Sequence, residues 1–201
     1  MTPRAAPMAP DDRRLAIVEA VLPLLEHTSA PTTKQIAQAA GIAEGTVFRA
    51  FEDKCTLFVA VAERAARPPG WREDMAALLA EHPDLRTKVF ATAERMAVRM
   101  SQLMLAMMAL RTAVMTESPG RRRLTPGRPP AFLHESGREL HDAVTALVFE
   151  PHRDELSVPP ATAARALRSL VMGSWHPGST DEDRLSPDEV ADILLDGIAR
   201  R

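Results

Sequence analysis

Between Thr32 and Leu57 the chain reads TTKQIAQAAGIAEGTVFRAFEDKCTL, and its apolar residues fall into two short stripes at helical spacing. Ile36, Ala37 and Ala40 form the first stripe, and Val47, Phe48 and Phe51 the second, each set lying on one face of a helix. Gly41 stands between them, where a helix needs a residue at positive φ. Without a Cβ, glycine takes that left-handed conformation at little cost. Ala37, Ala39 and Ala40 are small, which lets two helices cross closely beside the turn.

Helix, glycine turn and second helix make the sequence form of a helix-turn-helix, whose second helix enters a DNA major groove. The stretch also resembles the DNA-binding segment of TetR/AcrR-type transcriptional regulators. The residues that carry the resemblance are Thr33, Ile36-Ala37, Ala40-Gly41-Ile42, Gly45-Thr46, Phe48, Phe51, Lys54 and Leu57, with unbroken spacing. It covers roughly the first 65 residues; beyond them only helix count and pattern agree. Three positions depart from the family's usual residues. Ala43 stands where a serine would cap the recognition helix, a loss of roughly 1 kcal/mol. Phe48 replaces a tyrosine, keeping the packing without the hydroxyl, and Ala50 replaces a histidine.

The resemblance implies DNA contacts by Thr33, Glu44, Gly45, Thr46, Phe48, Arg49, Ala50 and Lys54. Thr46 and Lys54 are expected on phosphates, as is Thr33, which also suits a helix cap. Arg49 is the candidate for a base edge, because its fork matches O6 and N7 of guanine. Ala50 suits a thymine methyl. Phe48 is expected mainly to pack. Arg13 and Arg14 are candidates for backbone contacts from the first helix.

Charge gives this reading no help in bulk. Residues 1–66 hold seven cations against eight anions, and the whole chain carries a formal charge of −2. DNA binding therefore rests on local placement, including helix N-termini and backbone amides.

The other elements follow from periodicity and breakers. Residues 1–10, rich in Pro and Ala, are expected to be a disordered tail. A first helix, capped by Asp11 or Asp12 and carrying Leu15, Val18, Val21, Leu22 and Leu25, is expected to end near His27, with a kink at Pro23. Asp53 can start a fourth helix with Leu57, Phe58, Val61 and Ala65 inward. Pro68-Pro69-Gly70 marks a boundary, giving a DNA-binding domain over 11–67 and a helical effector-binding and dimerisation domain over 71–201. In the latter, helices are expected over Trp71–Ala80, Asp84 to about Thr116, Phe132–Phe149, Pro160 to about Trp175, and beyond Ser186. Leu103 to Leu110 is apolar on every side and should be buried all round. Residues 118–130 read as a Pro/Gly/Arg loop. Ser186-Pro187-Asp188-Glu189 is a capping box with proline at the first helical position. The fold class is all-α, with about nine helices.

Leu167, Leu170, Val171, Val190, Ile193, Leu194 and Ile198 give the last two helices more apolar surface than one subunit is expected to cover. In the resembled family those helices form a four-helix bundle with a second copy. Met75, Met96, Met100, Met104, Met107 and Met108, with Met115, lie on helices that would line a ligand cavity in that family. Flexible, polarizable methionine suits a pocket for a small apolar ligand, though helically spaced methionines also serve as plain core.

No nucleotide-binding glycine loop, serine-nucleophile motif or spaced carboxylate pair stands out, so no enzyme is expected. The six histidines lack tight ligand spacing, and neither metal nor cofactor is expected. A single cysteine, Cys55, excludes an intramolecular disulfide and is read as an inert thiol. It fits a reducing cytoplasm. Met1–Pro10 has no apolar core long enough for a signal peptide, and the longest wholly apolar run, Leu103 to Leu110, is far short of the ~20 residues of a spanning helix. The expected function is that of a homodimeric, sequence-specific regulator, a repressor released from a pseudo-palindromic operator by a small apolar ligand. The alternative is a helical ligand- or partner-binding protein with weakened DNA binding.

Overall fold

The computed structural model describes residues 9–117, 130–175 and 180–198. Among them the chain forms nine α-helices and no strand: α1 Pro10–Leu24, α2 Thr33–Ala39, α3 Glu44–Ala50, α4 Lys54–Ala66, α5 Trp71–Ala80, α6 Leu85–Glu117, α7 Ala131–Val144, α8 Pro160–Gly173 and α9 Pro187–Ile198. Two compact units result, one drawn from Met1–Ala66 and Gln102–Arg128, the other from Arg67–Ser101 and Pro129–Arg201. The long α6 contributes to both, so the Pro68-Pro69-Gly70 break separates them only in the first part of the chain.

In the first unit α1 packs on α2, α3 and α4. Ile17, Val18, Val21 and Leu25 of the first helix and its end, Ile36 and Ala37 of α2, Val47 and Phe51 around α3, and Leu57, Phe58 and Val61 of α4 are buried. The α1 boundaries differ from expectation. Pro10 rather than an aspartate opens the helix, Ala9 stands at the cap without a side-chain bond, and Asp11 and Asp12 lie in the first turn. Proline is tolerated there because its missing N–H has no helical partner to find. Pro23 sits one residue before the end, where the helix gives way to tighter turns through His27.

The part of α6 in this unit buries Ala106, Ala109, Leu110 and Ala113, one face at i, i+3, i+4 and i+7. This corrects the expectation that 103–110 is buried all round. Met108 is 52% exposed. A helix lined with apolar residues on every side is enclosed only where neighbours reach every side, and this one is covered along a single strip.

The second unit has its own core. Met75 and Leu79 of α5, Leu85, Val89 and Met96 of α6, Val144, Val148 and Phe149 at the end of α7, Leu167 and Val171 of α8, and Val190 and Leu194 of α9 form one cluster. The helix expected to run to Phe149 leaves α-geometry after Val144, passing through a π-turn over Thr145–Phe149 and a 3₁₀ segment over Glu150–Glu155. The Thr145 hydroxyl donates to the His141 carbonyl at 2.8 Å as the widening begins. At α9 the Ser186 amide donates to Glu189 Oε2 at 2.8 Å and the Glu189 amide to Ser186 Oγ at 3.2 Å. Both halves of the capping box legible in the sequence are therefore made. The loop expected over 118–130 and the tail expected over 1–10 lie almost wholly outside the described residues. No helix among those described is long and apolar enough to cross a membrane.

Candidate nucleic-acid interface

The seven-residue α3 is set on α2 by a closed turn. Gly41 takes φ +65°, its amide donates to Gln38 O at 3.2 Å, and the Ile42 amide donates to Ala37 O at 3.0 Å. These paired bonds satisfy the last carbonyls of α2 and send the chain back across it. Upstream, Thr32 caps α2: the Gln35 amide donates to Thr32 Oγ1 at 3.2 Å, and the Thr32 amide to Gln35 Oε1 at 2.8 Å. The cap is thus Thr32, and Thr33 is the first helical residue. Its half-buried side chain is not the one spent on the cap.

Val47 is the buried anchor of α3, and Phe51 follows it into the core. Rotation by 100° per residue then turns Gly45 and Arg49 outward, with Glu44 and Phe48 on one flank and Thr46 on the other. Glu44, Gly45, Phe48 and Arg49 are exposed; Thr46 and Ala50 are half-buried. A Cβ on Gly45 would meet nothing within 4 Å, so the middle of the outward face is bare backbone. Phe48 is 58% exposed, which corrects the expectation that it packs inside. It lies next to Val47 in sequence, and on so short a helix only one flank can face the core.

Both ends of α3 depart from the side-chain capping seen at α2. Ala43 has the extended conformation of a cap (φ −71°, ψ 144°) without a side-chain oxygen, and the Thr46 amide turns to Ala43 O at 2.8 Å. At the other end Arg14 of α1 donates from Nη1 to Ala50 O at 2.9 Å and lies over the Phe51 ring, 4.6 Å from its centroid. Arg14, a candidate for backbone contacts, thus ties α1 to the last turn of α3. Nothing in the local pattern could reveal this, because the partners are 36 residues apart. Asp53 caps α4, accepting from the Thr56 amide at 2.7 Å, and half-buried Lys54 opens that helix.

The residues expected around a ligand lie along α5 and α6. Met75 and Met96 share the core of the second unit. Met100 is half-buried in the same unit, whereas half-buried Met104 and Met107 and exposed Met108 stand on the part of α6 that belongs to the first. Arg99 lies over the Trp71 ring, 4.8 Å from its centroid, and burial lowers its pKa against the opposing pull of Glu139. Arg67 pairs with Glu135 at 3.1 Å and with Glu139.

Of the residues expected at a dimer interface, Leu167, Val171, Val190 and Leu194 are turned into the protomer's own core. Half-buried Leu170 packs against the same core, whereas Ile193 of α9 is 49% exposed and Met172 of α8 is exposed. The side chain of Ile198 lies outside the described residues. Among the described residues no group of three His, Cys, Asp or Glu side chains could hold a metal ion.

Residues 28–61 match the family described as bacterial regulatory proteins, tetR family. No curated protein matches the chain. Among solved structures, a TetR transcriptional regulator from Streptomyces coelicolor is similar at 20% identity, with 92% of this chain and 98% of that one covered and a TM-score of 0.56. SmeT, the repressor of the Stenotrophomonas maltophilia multidrug efflux pump SmeDEF, is 18% identical over 93% and 90% of the two chains, with a TM-score of 0.55. FadR from Bacillus subtilis, in complex with stearoyl-CoA, is 13% identical over 90% and 95%, with a TM-score of 0.53. At these identities the likeness to solved structures is one of fold.

Proposed function

We propose that this chain is a bacterial regulatory protein of the tetR family, a homodimeric, ligand-responsive repressor that reads a pseudo-palindromic operator, a reading supported by the match over residues 28–61. The observation that carries the reading is the outward face of α3: exposed Arg49 beside the bare backbone of Gly45, on a helix anchored through Val47. Gly45 lets the helix approach the groove closely. Arg49 reaches base edges, while Thr33, Thr46 and Lys54 supply phosphate contacts that fix register. Glu44 keeps a bound duplex from being gripped by charge alone, and Phe48 and Ala50 offer apolar contacts in place of hydrogen bonds.

Two copies of α3 then occupy successive major grooves. The dimer forms through the outer surfaces of α8 and α9, with Ile193 at its centre. A small ligand acts by binding more tightly to a conformation whose recognition helices do not match the half-site spacing; without that difference in affinity there is no switch. The methionine-bearing core around Met75 and Met96 is the place for such a ligand. SmeT is a repressor and FadR holds an acyl-CoA, and these are the roles we extend to this chain by analogy of fold.

The test is selection of bound fragments from genomic DNA at two salt concentrations, with Arg49→Ala alongside. One enriched pseudo-palindrome, weakened by salt and lost in the variant, is the expected result. No enrichment at low salt would assign the chain to ligand or partner binding without operator recognition.

A further inference from the structure

In the second unit one arginine has no carboxylate partner among the described residues. Arg168 of α8 is half-buried, and its Nε is closed off from solvent with no hydrogen-bond partner. Burial lowers its pKa, and no acidic side chain acts on it in the other direction. Glu135 and Glu139 of α7 lie on the opposite face from Gly137 and pair with Arg67. A half-buried guanidinium with no counter-charge among the described residues is a place where an arriving anion meets no resident carboxylate to displace.

The surroundings indicate what that is. The Arg168 guanidinium lies against Gly137 of α7, where a Cβ would stand 3.5 Å from Nη2. One turn further along the same face of α7 is His141, half-buried, whose Nδ1 is also closed off and without a partner. Two nitrogen-bearing side chains from two packed helices thus border the same face of α7. Their neighbours Val144, Leu167 and Val171 belong to the same apolar cluster as Met75 and Met96, and Leu140 packs against it.

We infer that Gly137, His141 and Arg168 form an oxyanion site at the edge of this core, which takes the acid group of a small amphipathic effector. The effector is therefore an organic acid rather than a neutral apolar molecule. Its carboxylate or phosphate oxygens accept from the Arg168 fork and from His141, and its apolar part faces the methionine-bearing core. This rests on the reading of the second unit as the effector domain; it does not depend on which operator is read.

The experiment measures binding to the full-length chain in the absence of DNA. Octanoate, 1-octanol and inorganic phosphate are titrated by calorimetry and thermal shift against the wild type, Arg168→Gln and His141→Gln. Saturable octanoate binding is expected, raising Tm by roughly 5–10 °C at about 100 times the dissociation constant. Arg168→Gln should weaken it about 10- to 100-fold and His141→Gln less, with octanol unchanged by either. Phosphate binding that is lost in Arg168→Gln supports the same site and, if tighter than octanoate, points to a phosphorylated effector.

Octanoate and octanol binding equally well, or octanoate binding equally to wild type and Arg168→Gln, would overturn the proposal. So would an absence of saturable binding by either anion, or a change of oligomeric state in Arg168→Gln, which would make a second copy the arginine's partner. If Arg168→Gln fails to fold, His141→Gln decides alone: unchanged octanoate affinity overturns the site. Operator selection is a separate assay, so loss of DNA recognition with intact acid binding would sink the repressor reading and leave the site standing.

Discussion

Arg14 Nη1 donates to the carbonyl oxygen of Ala50 at 2.9 Å while its guanidinium covers the ring of Phe51. The last turn of a helix leaves carbonyls without partners and carries partial negative charge, so a cation there both bonds and complements it. α3 has only seven residues and no side-chain cap at its start, so this contact supplements the buried anchor of Val47.

Arg14→Ala should cost about 1–2 kcal/mol in urea unfolding, from one charge-assisted bond and a cation–π contact. Arg14→Lys should recover less than half of that, because an ammonium cannot stack and donate in the same plane. Operator affinity should fall in both variants by more than stability alone accounts for, since α3 loses its fixed orientation. Equal operator affinity in a folded Arg14→Ala protein would remove the positioning role.

Ala43→Ser should have the opposite effect. The backbone at residue 43 already has a cap's extended conformation, so the serine oxygen can accept from the first-turn amides of α3, sharing that of Thr46 with the Ala43 carbonyl. A gain of about 1 kcal/mol in unfolding free energy is expected. A neutral or destabilising result would mean that those amides already have solvent partners as good as serine.

Thr92 is wholly buried on α6, and its hydroxyl has no partner among the described residues. Thr92→Val replaces that hydroxyl by a methyl of similar size and should stabilise the unliganded protein by about 1 kcal/mol, the cost of an unsatisfied buried polar group. Differential scanning calorimetry would read it as a higher Tm; a lower one would reveal a partner gained in solution.

Ile193→Asp tests the outer surface of α9. The side chain is half exposed in the protomer, so the fold should survive and the dimer should not. Light scattering should move from dimer to monomer mass with an unchanged far-ultraviolet spectrum. A dimer that persists would place the subunit contact elsewhere.

Acid should loosen two helix starts. Asp84 accepts from the Thr87 amide at 2.9 Å, and Glu189 accepts from the Ser186 amide. Backbone hydrogen bonding from Thr87 holds Asp84 below its ordinary 3.8, and that from Ser186 holds Glu189 below 4.5. Folded pKa values below the unfolded ones give stability that is present above those ordinary values and lost as pH falls through the folded ones. Asp84→Asn with Glu189→Gln should therefore flatten the acid limb of urea stability below about pH 4.5, relative to wild type. Parallel limbs for the two proteins would contradict this.

The helix-turn-helix, the all-α class and the Ser186–Glu189 box were legible in the sequence because each is a local arrangement. A glycine at positive φ, a stripe at helical spacing and a reciprocal cap are settled within a few residues, and the chain obeys them wherever it sits. The same local pattern misassigned Phe48 to the interior and enclosed Leu103–Leu110, because periodicity identifies an apolar face without telling how much of it a neighbour covers. It also offered Leu167, Val171, Val190 and Leu194 to a second subunit, although the protomer's own core takes them. Arg14 on Ala50, Arg168 against Gly137, and the orphaned hydroxyl of Thr92 belong wholly to the tertiary structure. Each depends on which residues from distant parts of the chain meet, and on whether a charge or a hydroxyl finds a partner there. The sequence by itself determined the helices and the helix-turn-helix motif; packing decided which side chains met and which were left exposed.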